Sequence, residues 1–322
     1  MNANFRRILN GSLALGLCAL ASTALADASD SKHVGRSTVY SQLPSDGLEA
    51  LSPPAAIKAI AESPNSAPTE IWSTLEHGEK VECLDCIPYV SKLLFSSDHK
   101  TREISAWWLR RRIFGVFGPG EVYSQLLTTV GDQSQSENTR AYAANALGEF
   151  LDGAGIAPVA TALVSDPSAT VRNAAASALV RLNNRGPNGE LATSLGDADE
   201  GVRLTSLYAV THINVFGTST DIASVAKLLG DSSAAVRRRA AETLGTMHVA
   251  DSVAGLIAVT SASTESDAGV RASAAWALGQ LASSLTSPAD QAAARDAVTA
   301  IVNNDNEAQN VRDAAAIALR SL

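Results

Sequence analysis

The sequence is poor in aromatic residues and cysteines, and it lacks the short motifs that mark common catalytic sites. Aromatic residues make up 5 % of its 322 residues, and it contains three cysteines. It has no phosphate-binding loop, dinucleotide-binding glycine motif or nucleophile elbow. A chain of this length can bury a large core, but small side chains, mainly alanine, would have to fill it. This composition predicts many thin helical layers rather than one bulky core.

Long hydrophobic runs are also absent, apart from one near the N-terminus. That run follows a short positive region and is too brief, and too often interrupted by glycine and serine, to span a membrane. Small residues precede a favourable cleavage point after Ala26, so we predict an export signal at residues 1–26. Cys18 within the run could instead mark a lipoprotein, but Leu17 stands where that motif requires a small residue. We therefore expect a periplasmic or secreted protein with no membrane insertion after signal cleavage.

Basic residues are outnumbered by acidic ones. The chain has 25 lysines and arginines against 33 aspartates and glutamates. Removal of Arg6 and Arg7 with the signal would make the mature chain more acidic still. Proteins that bind nucleic acid gain most of their affinity by neutralising phosphates with basic side chains, so the charge balance argues against nucleic acid as a partner.

A pattern built around one arginine recurs along the chain. An acidic residue is followed by an arginine, usually after valine, then by small residues three and four positions on, and then by Ala-Leu-Gly or a variant of it. The pattern is clearest in residues 166–182, 197–213, 231–247, 266–281 and 305–322, and weaker copies occupy residues 97–112 and 136–150. The aligned arginines stand 31 to 41 residues apart: Arg102, Arg140, Arg172, Arg203, Arg237, Arg271 and Arg312.

Apolar residues in each copy recur at helical spacing. Leucine or valine stands seven residues after each arginine, and another apolar residue follows ten after it in every copy but the first. This spacing predicts an amphipathic helix, and the alanines beside the stripe allow a neighbouring helix to come close. We expect the acidic residue ahead of the helix to lie at its N-cap or in its first turn, namely Asp166, Asp197, Asp231 and Asp305.

A second, shorter apolar stretch lies between successive copies. These stretches occupy residues 156–164, 189–196, 222–230 and 253–262, and residues 86–95 fit as the corresponding helix ahead of the first arginine. Each unit is therefore predicted to be a helical hairpin that cannot bury its apolar stripe alone and must stack on its neighbours. The predicted fold class is all-α, an α-solenoid of stacked antiparallel hairpins.

Over residues 86–322 the pattern resembles the HEAT-like repeats named after phycobilisome lyases. We predict about six to seven repeats in residues 69–322, after a flexible leader at residues 27–68 that is rich in serine, proline and alanine. Solenoids of this kind mostly serve as protein-binding surfaces, so the resemblance implies a non-catalytic scaffold or adaptor whose partner is another protein. In such stacks the acid and the arginine of successive units form a structural ladder, and a row of anion-binding arginines is the alternative. The ladder arginines would be Arg140, Arg172, Arg203, Arg237, Arg271 and Arg312.

Two branches of the HEAT-like proteins are enzymes, and the sequence lacks the residues that either would need. The deoxyhypusine hydroxylase type binds two irons through His-Glu pairs on its repeats. None of the five histidines here is followed by glutamate: His33, His77, His99, His212 and His248. No residue stands out for the tetrapyrrole chemistry of a bilin lyase. We expect no enzyme activity, no catalytic residues and no cofactor, and a lyase- or hydroxylase-type enzyme is the least favoured alternative.

Cys83 and Cys86 are the cysteines that the mature chain would retain. Covalent haem attachment would need histidine at position 87, where isoleucine stands. A metal site would need more ligands, and the nearest histidines, His77 and His99, do not form the usual close pair. A redox-active dithiol stays open, although nothing predicts the sheet that surrounds such a motif in thioredoxins. Because cysteines in exported proteins are most often oxidised together, we predict a structural disulfide, with redox or metal handling as the alternative.

The first arginine helix carries large side chains where later copies have alanine. Trp107 and Trp108 stand beside Arg110, Arg111 and Arg112 in an otherwise acidic protein. Tryptophan and arginine are enriched where binding energy is concentrated in protein interfaces. One interpretation is a docking patch for the partner, on a concave face lined by the shorter helices. The other is a cap that closes the open end of the stack.

Overall fold

The computed structural model describes residues 52–118, 120–184, 186–213 and 219–322, and every regular element in these ranges is helical. The chain divides into two compact units, Met1–Val90 and Ser91–Leu322. The predicted export signal, Cys18, His33 and the first part of the predicted leader fall outside the described residues. The predicted boundary between residues 68 and 69 lies within a helix of the first unit.

The described part of the first unit contains two α-helices, a 3₁₀ turn and the start of a third helix. α1 (Pro54–Glu62) and α2 (Pro68–His77) both begin with proline, whose missing N–H is not needed in a first turn. The two helices pack against each other, and their apolar faces are buried: Ile57, Ala61, Ile71 and Leu75. A 3₁₀ turn at Leu84–Cys86 leads into α3 (Ile87–Lys92), which runs past the limit of the unit.

The second unit alternates helices that carry the recurring arginines with connecting helices, most of them shorter. In chain order they are α4 (His99–Arg110), α5 (Gly120–Thr129), α6 (Glu137–Phe150), α7 (Ile156–Ser165), α8 (Ala169–Leu182), α9 (Asn188–Ser194), α10 (Glu200–Ile213), α11 (Ser219–Lys227), α12 (Ala234–Thr246), α13 (Val253–Ala258), α14 (Ala268–Leu281), α15 (Pro288–Val302) and α16 (Gln309–Leu319). The even-numbered helices from α4 to α16 contain the aligned arginines, and we call them the arginine helices.

Consecutive arginine helices lie side by side throughout the second unit, from α4 against α6 to α14 against α16. Each connecting helix packs against the arginine helix that follows it. The side chains between the layers are mainly alanine, leucine and valine, so each hairpin buries its apolar side against the next hairpin. The predicted all-α solenoid of stacked hairpins is therefore confirmed for this unit.

Three glycines bring neighbouring arginine helices into backbone contact. Each stands eight residues after its arginine and faces an alanine six residues after the next arginine. A Cβ atom on Gly279 would lie 2.7 Å from the Cα atom of Ala318, closer than van der Waals contact allows. The other two contacts of this kind, both at 2.8 Å, are Gly148–Ala178 and Gly245–Ala277.

Two features differ from the sequence predictions. Helix α5 was not predicted, because residues 113–135 contain neither the arginine pattern nor a clear apolar stripe.

The N-caps also differ: α4, α6, α12 and α14 are capped by Asp98, Ser136, Ser233 and Asp267, whose side chains accept a backbone N–H of the first turn. The four acids that were expected at N-caps instead lie three or four residues before the first residue of α8, α10, α12 and α16, namely Asp166, Asp197, Asp231 and Asp305. The first three of them are close to the preceding arginine helix instead.

Candidate functional site

Five ion pairs join successive arginine helices through the loops that precede them. The guanidinium of Arg140 contacts both carboxylate oxygens of Asp166, with Nε–Oδ2 and Nη2–Oδ1 distances of 2.8 and 2.9 Å. Both side chains are almost fully buried, with exposed fractions of 6 % and 1 %. A two-pronged contact of this kind fixes the orientation of the partners as well as their distance. It recurs in four more pairs: Arg172–Asp197, Arg203–Asp231, Arg237–Glu265 and Arg271–Glu307.

Each of these arginines also holds the loop in front of its own helix. Nη1 of Arg172 donates to the carbonyl oxygens of Asp166 and Pro167 at 2.9 and 3.1 Å. The Asp166 carboxylate in turn accepts the backbone N–H of Ser168 at 2.9 Å. Burial raises the pKa of Asp166, but the hydrogen bonds from Arg140 and Ser168 outweigh it and hold the pKa below its ordinary value. The ladder is therefore a network of loops and helices, and within it the Asp166 carboxylate is held in the charged form.

The two ends of the ladder differ from its middle. At the first end, Arg102 also donates to a carbonyl oxygen of the loop before its own helix. Its guanidinium carbon lies 4.1 Å from the centre of the Tyr142 ring, whereas the guanidinium groups of the next five arginines each contact a carboxylate. Arg312 pairs within its own loop, with Nη1 3.4 Å from Asp305. Sequence reasoning did not find Glu265 and Glu307 because it looked for aspartate. A search for either aspartate or glutamate in the loop before each arginine helix would have predicted both residues.

A second set of positions on the arginine helices faces solvent. Residues two, five and nine positions after an arginine lie on one helix face, because their spacing is close to whole turns. Apart from the buried Ile104, they are partly or fully exposed. We call this set the exposed stripe: Trp107 and Arg111; Tyr142, Asn145 and Glu149; Ala174, Ser177 and Arg181; Thr205, Tyr208 and His212; Arg239, Glu242 and Thr246; Ser273, Trp276 and Gln280; Ala314, Ile317 and Ser321.

The exposed stripe differs in composition from the rest of the chain. It contains four large aromatic residues, and its two acids each contact a stripe arginine. Glu149 lies 2.6 Å from Arg181, and Glu242 lies 3.5 Å from Arg239. Burial raises the pKa of Glu149 above its ordinary value although Arg181 opposes this. The stripe thus presents no excess of acid, whereas the whole chain has a net charge of −8.

A cleft of about 460 Å³ opens on the exposed stripe between α12 and α14. Its walls are Arg239, Glu242 and Thr246 from α12, and Ala272, Ser273 and Trp276 from α14. The Trp276 ring packs on the backbone of α12 at Gly245. A Cβ atom added to this glycine would lie 3.0 Å from Cζ3 of the ring.

The α10 side of this cleft is bordered by a second aromatic ring. The guanidinium carbon of Arg239 lies 5.5 Å from the centre of the Tyr208 ring. Tyr208 is stacked on His212 with 5.7 Å between ring centres. The cleft and its border therefore place an arginine between tyrosine and tryptophan on three successive arginine helices.

The HEAT repeat family model matches residues 124–211 and 222–320, more than half of the sequence. The chain belongs to the HEAT repeat family. No curated protein sequence matches this HEAT repeat chain.

Solved structures share the fold at low sequence identity. Kap95p in complex with RanGDP has a TM-score of 0.66 and 13 % identity, over 98 % of this chain and 44 % of Kap95p. YibA of Escherichia coli has a TM-score of 0.54 and 17 % identity, over 88 % of this chain and 97 % of YibA. Human deoxyhypusine hydroxylase matches with a TM-score of only 0.35 at 20 % identity, over 83 % of this chain and 95 % of the enzyme. The likenesses to Kap95p and YibA, at TM-scores above 0.5 and identities below 25 %, show the fold alone.

The predicted docking patch of this HEAT repeat protein is divided between core and surface. Trp108 and Arg112 are fully buried, and the guanidinium carbon of Arg112 lies 3.7 Å from the centre of the Trp108 ring. These two residues do not face a partner, so the docking interpretation is wrong for them. Trp107, Arg110 and Arg111 are partly exposed.

The buried positions of Trp108 and Arg112 have local causes. Trp108 stands six residues after Arg102, where later arginine helices carry a small residue that faces the preceding arginine helix. Because no arginine helix precedes α4 among the described residues, this position is not restricted to a small side chain. After α4 the chain forms a π-helical turn at Arg111–Val116, which changes the residue spacing, and Arg112 is buried.

Sequence reasoning missed Tyr208, Arg239 and Trp276. None of the three belongs to the recurring arginine pattern or to the predicted docking patch. The available signal was positional: Trp107, Tyr208 and Trp276 all stand five residues after an aligned arginine. An aromatic residue that recurs at an exposed repeat position indicates a surface role.

The structure joins Cys83 and Cys86 in a disulfide at the 3₁₀ turn before α3, with 5.3 Å between their Cα atoms. Cys83 is 8 % exposed and Cys86 is fully buried. His77 does not approach them as a ligand, and its Nδ1 lies 2.6 Å from the carbonyl oxygen of Ser73. Within the described residues, no three His, Cys, Asp or Glu side chains are arranged to hold a metal ion.

In the same ranges, no helix combines the length and apolarity needed to cross a membrane.

Proposed function

We propose that this protein is an exported, non-catalytic scaffold that binds another protein along the exposed stripe. The observation that carries the proposal is the aromatic side chain at one repeat position of three arginine helices, Trp107, Tyr208 and Trp276. All three are at least partly exposed, and Tyr208 is 48 % exposed. Tryptophan, tyrosine and arginine most often dominate the binding energy of protein interfaces.

The proposed binding face is formed by the arginine helices rather than by the shorter helices named in the sequence interpretation. Among the described side chains of the connecting helices α5 to α15, Val164 is the one large apolar residue that is well exposed. The arginine helices instead expose aromatic groups on α4, α6, α10 and α14 and guanidinium groups on α8 and α12, all on the same helix face. A partner can therefore contact several repeats at once, which is how repeat proteins use their extended surfaces.

The fold is compatible with this role. Kap95p, whose structures include complexes with Ran and with Nup1, has the same fold at TM-scores of 0.66 and 0.53. At 13 and 14 % identity, this supports protein binding by such a stack but not any particular partner.

Site-specific photo-cross-linking tests the proposal. A photo-reactive phenylalanine analogue would replace Tyr208 on the stripe or, as a matched control, Val164 on the connecting layer. In cells that produce the protein naturally, we expect a discrete cross-linked product from the Tyr208 position and none from the Val164 position. Identical products from both positions, or none from Tyr208, would show that the stripe is not the binding face.

Redox or metal handling by Cys83 and Cys86 is the second candidate. Reactive thiols usually lie in partly exposed, electropositive surroundings, whereas these two sulfurs are buried. Thiol titration with and without reductant, together with metal analysis, separates the candidates. A pair that resists mild reductant and carries no metal fits the scaffold. A pair that cycles under mild conditions, or bound metal, would establish the alternative, and bound iron or pigment would favour an enzyme.

Export rests on the N-terminal sequence and has its own test. The intact mass of the protein recovered from the periplasm or medium should correspond to a chain that begins at Asp27. A full-length chain that stays in the cytoplasm would refute this part of the proposal without affecting the binding face.

A further inference from the structure

Arg239 in the wall of the cleft between α12 and α14, and Arg238 beside it on α12, are held more loosely than the arginines of the ladder. Arg238 and Arg239 both approach the single carboxylate of Glu242, at 3.8 and 3.5 Å. Ladder contacts such as Arg172–Asp197 are 2.7 Å, and hydrogen bonds to nitrogen donors weaken beyond about 3.2 Å. These two arginines therefore keep donor capacity that the ladder arginines have already used.

The wall and rim of the cleft hold two arginines and one acid: Arg239 and Glu242 line it, and Arg238 lies beside it on α12. Glu242 is its one acid, and it already accepts a hydrogen bond from Ser273 Oγ at 3.1 Å. The walls supplied by α14 are neutral, consisting of Ala272, Ser273 and Trp276. Because Arg239 shares this one carboxylate with Arg238, it can pair with a further negative group supplied by a partner.

Two braced aromatic rings flank Arg239. Trp276 rests on the Gly245 backbone and Tyr208 is stacked on His212. Because they are held in place before a partner arrives, these rings can receive an apolar side chain with little loss of conformational freedom. They lie on α10 and α14, with Arg239 on the helix between them.

The spacing of these helices sets the length of segment that fits. Packed helix axes are about 8–10 Å apart, so three helices span roughly 16–20 Å. An extended chain covers about 3.3 Å per residue, so roughly five to six residues would cross from Tyr208 to Trp276.

We infer that this cleft binds an extended acidic peptide segment of the partner. An aromatic or branched apolar side chain of the segment rests against Trp276, and a neighbouring carboxylate pairs with Arg239. Arginine suits this role because its planar fork matches a carboxylate. The inference rests on the proposed function, since it names the chemistry of the partner at one part of the exposed stripe.

Peptide selection with matched variants tests the inference. A random-peptide phage library would be selected on the purified protein and, in parallel, on R239Q, W276S and V164S. We expect selected peptides to carry Asp or Glu close to Phe, Trp or Leu, and to be enriched on the V164S control as well. Fluorescence anisotropy of a labelled selected peptide should show affinity about tenfold weaker for R239Q and for W276S, and unchanged for V164S. Exchange of its acids for Asn or Gln should weaken binding similarly.

Several results would overturn the inference. They are the absence of any enriched peptide, enrichment of peptides without acidic residues, and unchanged affinity for R239Q. Displacement of the peptide by free glutamate at equal concentration would show that the cleft binds a single small anion instead. A partner cross-linked at Tyr208 without any acidic preference would leave the proposed function intact and remove only this inference. Helical content and the thermal midpoint of each variant show whether it is folded.

Discussion

Gly148, Gly245 and Gly279 stand at helix contacts where any larger side chain would meet the backbone of a neighbour. A glycine inside a helix normally destabilises it by about 1 kcal/mol relative to alanine. Here that loss is offset because the neighbouring helix comes close enough to bury its alanine-rich face. Among the described glycines, Gly189 has nothing within 4 Å of its Cβ position, so it offers a matched control.

Gly279→Ala should destabilise the protein. The new Cβ would lie 2.7 Å from Cα of Ala318, and separation of the two helices should lower the free energy of unfolding by about 1–3 kcal/mol. Gly189→Ala in α9 is the control, because nothing lies within 4 Å of its Cβ position; it should be neutral or stabilising by up to about 1 kcal/mol. Urea unfolding followed by circular dichroism measures both, and equal effects of the two substitutions would contradict the close-contact explanation.

At the scale of the helical element, the ladder decides how one repeat is oriented on the next. Asp166→Asn should lower the free energy of unfolding by about 3–5 kcal/mol, because it leaves the buried Arg140 guanidinium without its counter-charge. Asp305→Asn removes the acid from the exposed terminal pair, in which Asp305 is 100 % exposed, and should change stability little. Comparable losses in urea unfolding would mean that burial does not determine the strength of these pairs.

The ladder should also give the protein a dependence on acid pH. Hydrogen bonds from Arg237 to Glu265 and from Arg271 to Glu307 lower the pKa of each carboxyl below its ordinary 4.5, although burial opposes this. The unfolded chain then binds protons more tightly than the native one, so the stability from these groups is present above about pH 4.5 and is lost as pH falls below it. The urea midpoint should therefore decrease below that pH, and less steeply in Glu265→Gln. An unchanged slope in this variant would contradict the ladder as the cause.

Elements repeated in the sequence were predicted better than elements that occur once. The arginine helices follow from a pattern that returns seven times, so each copy supports the others. Helix α5 and the π-helical turn after α4 occur once, and no repeat of their residues exists against which to compare them. Burial of Trp108 depends on the position of α4 at the start of the series, which no single copy reveals. The exposed stripe was predictable in principle, since its aromatic residues share one repeat position.

At the scale of the second unit, stability should be the sum of the hairpins and of their contacts with neighbours. The contact between α10 and α12 differs from the glycine–alanine contacts. Thr211 and Thr243 take the places of glycine and alanine, and their hydroxyl oxygens lie 3.0 Å apart. The HEAT repeat match is interrupted nearby, between residues 211 and 222. The Arg203–Asp231 ion pair joins the two helices across this contact.

Asp231→Asn should therefore divide the unfolding of the second unit into two steps. Without the ion pair, the threonine contact is expected to be too weak to couple α12–α16 to α4–α10, so amides in 234–319 should exchange as a group separate from those in 99–213. Asp166→Asn is the matched control, because the close Gly148–Ala178 contact remains beside the lost ion pair; it should lower stability but keep one transition. Hydrogen exchange read by mass spectrometry across a urea series distinguishes the two variants. If both unfold in a single step, the ladder orients the repeats but does not set how far unfolding spreads along the stack.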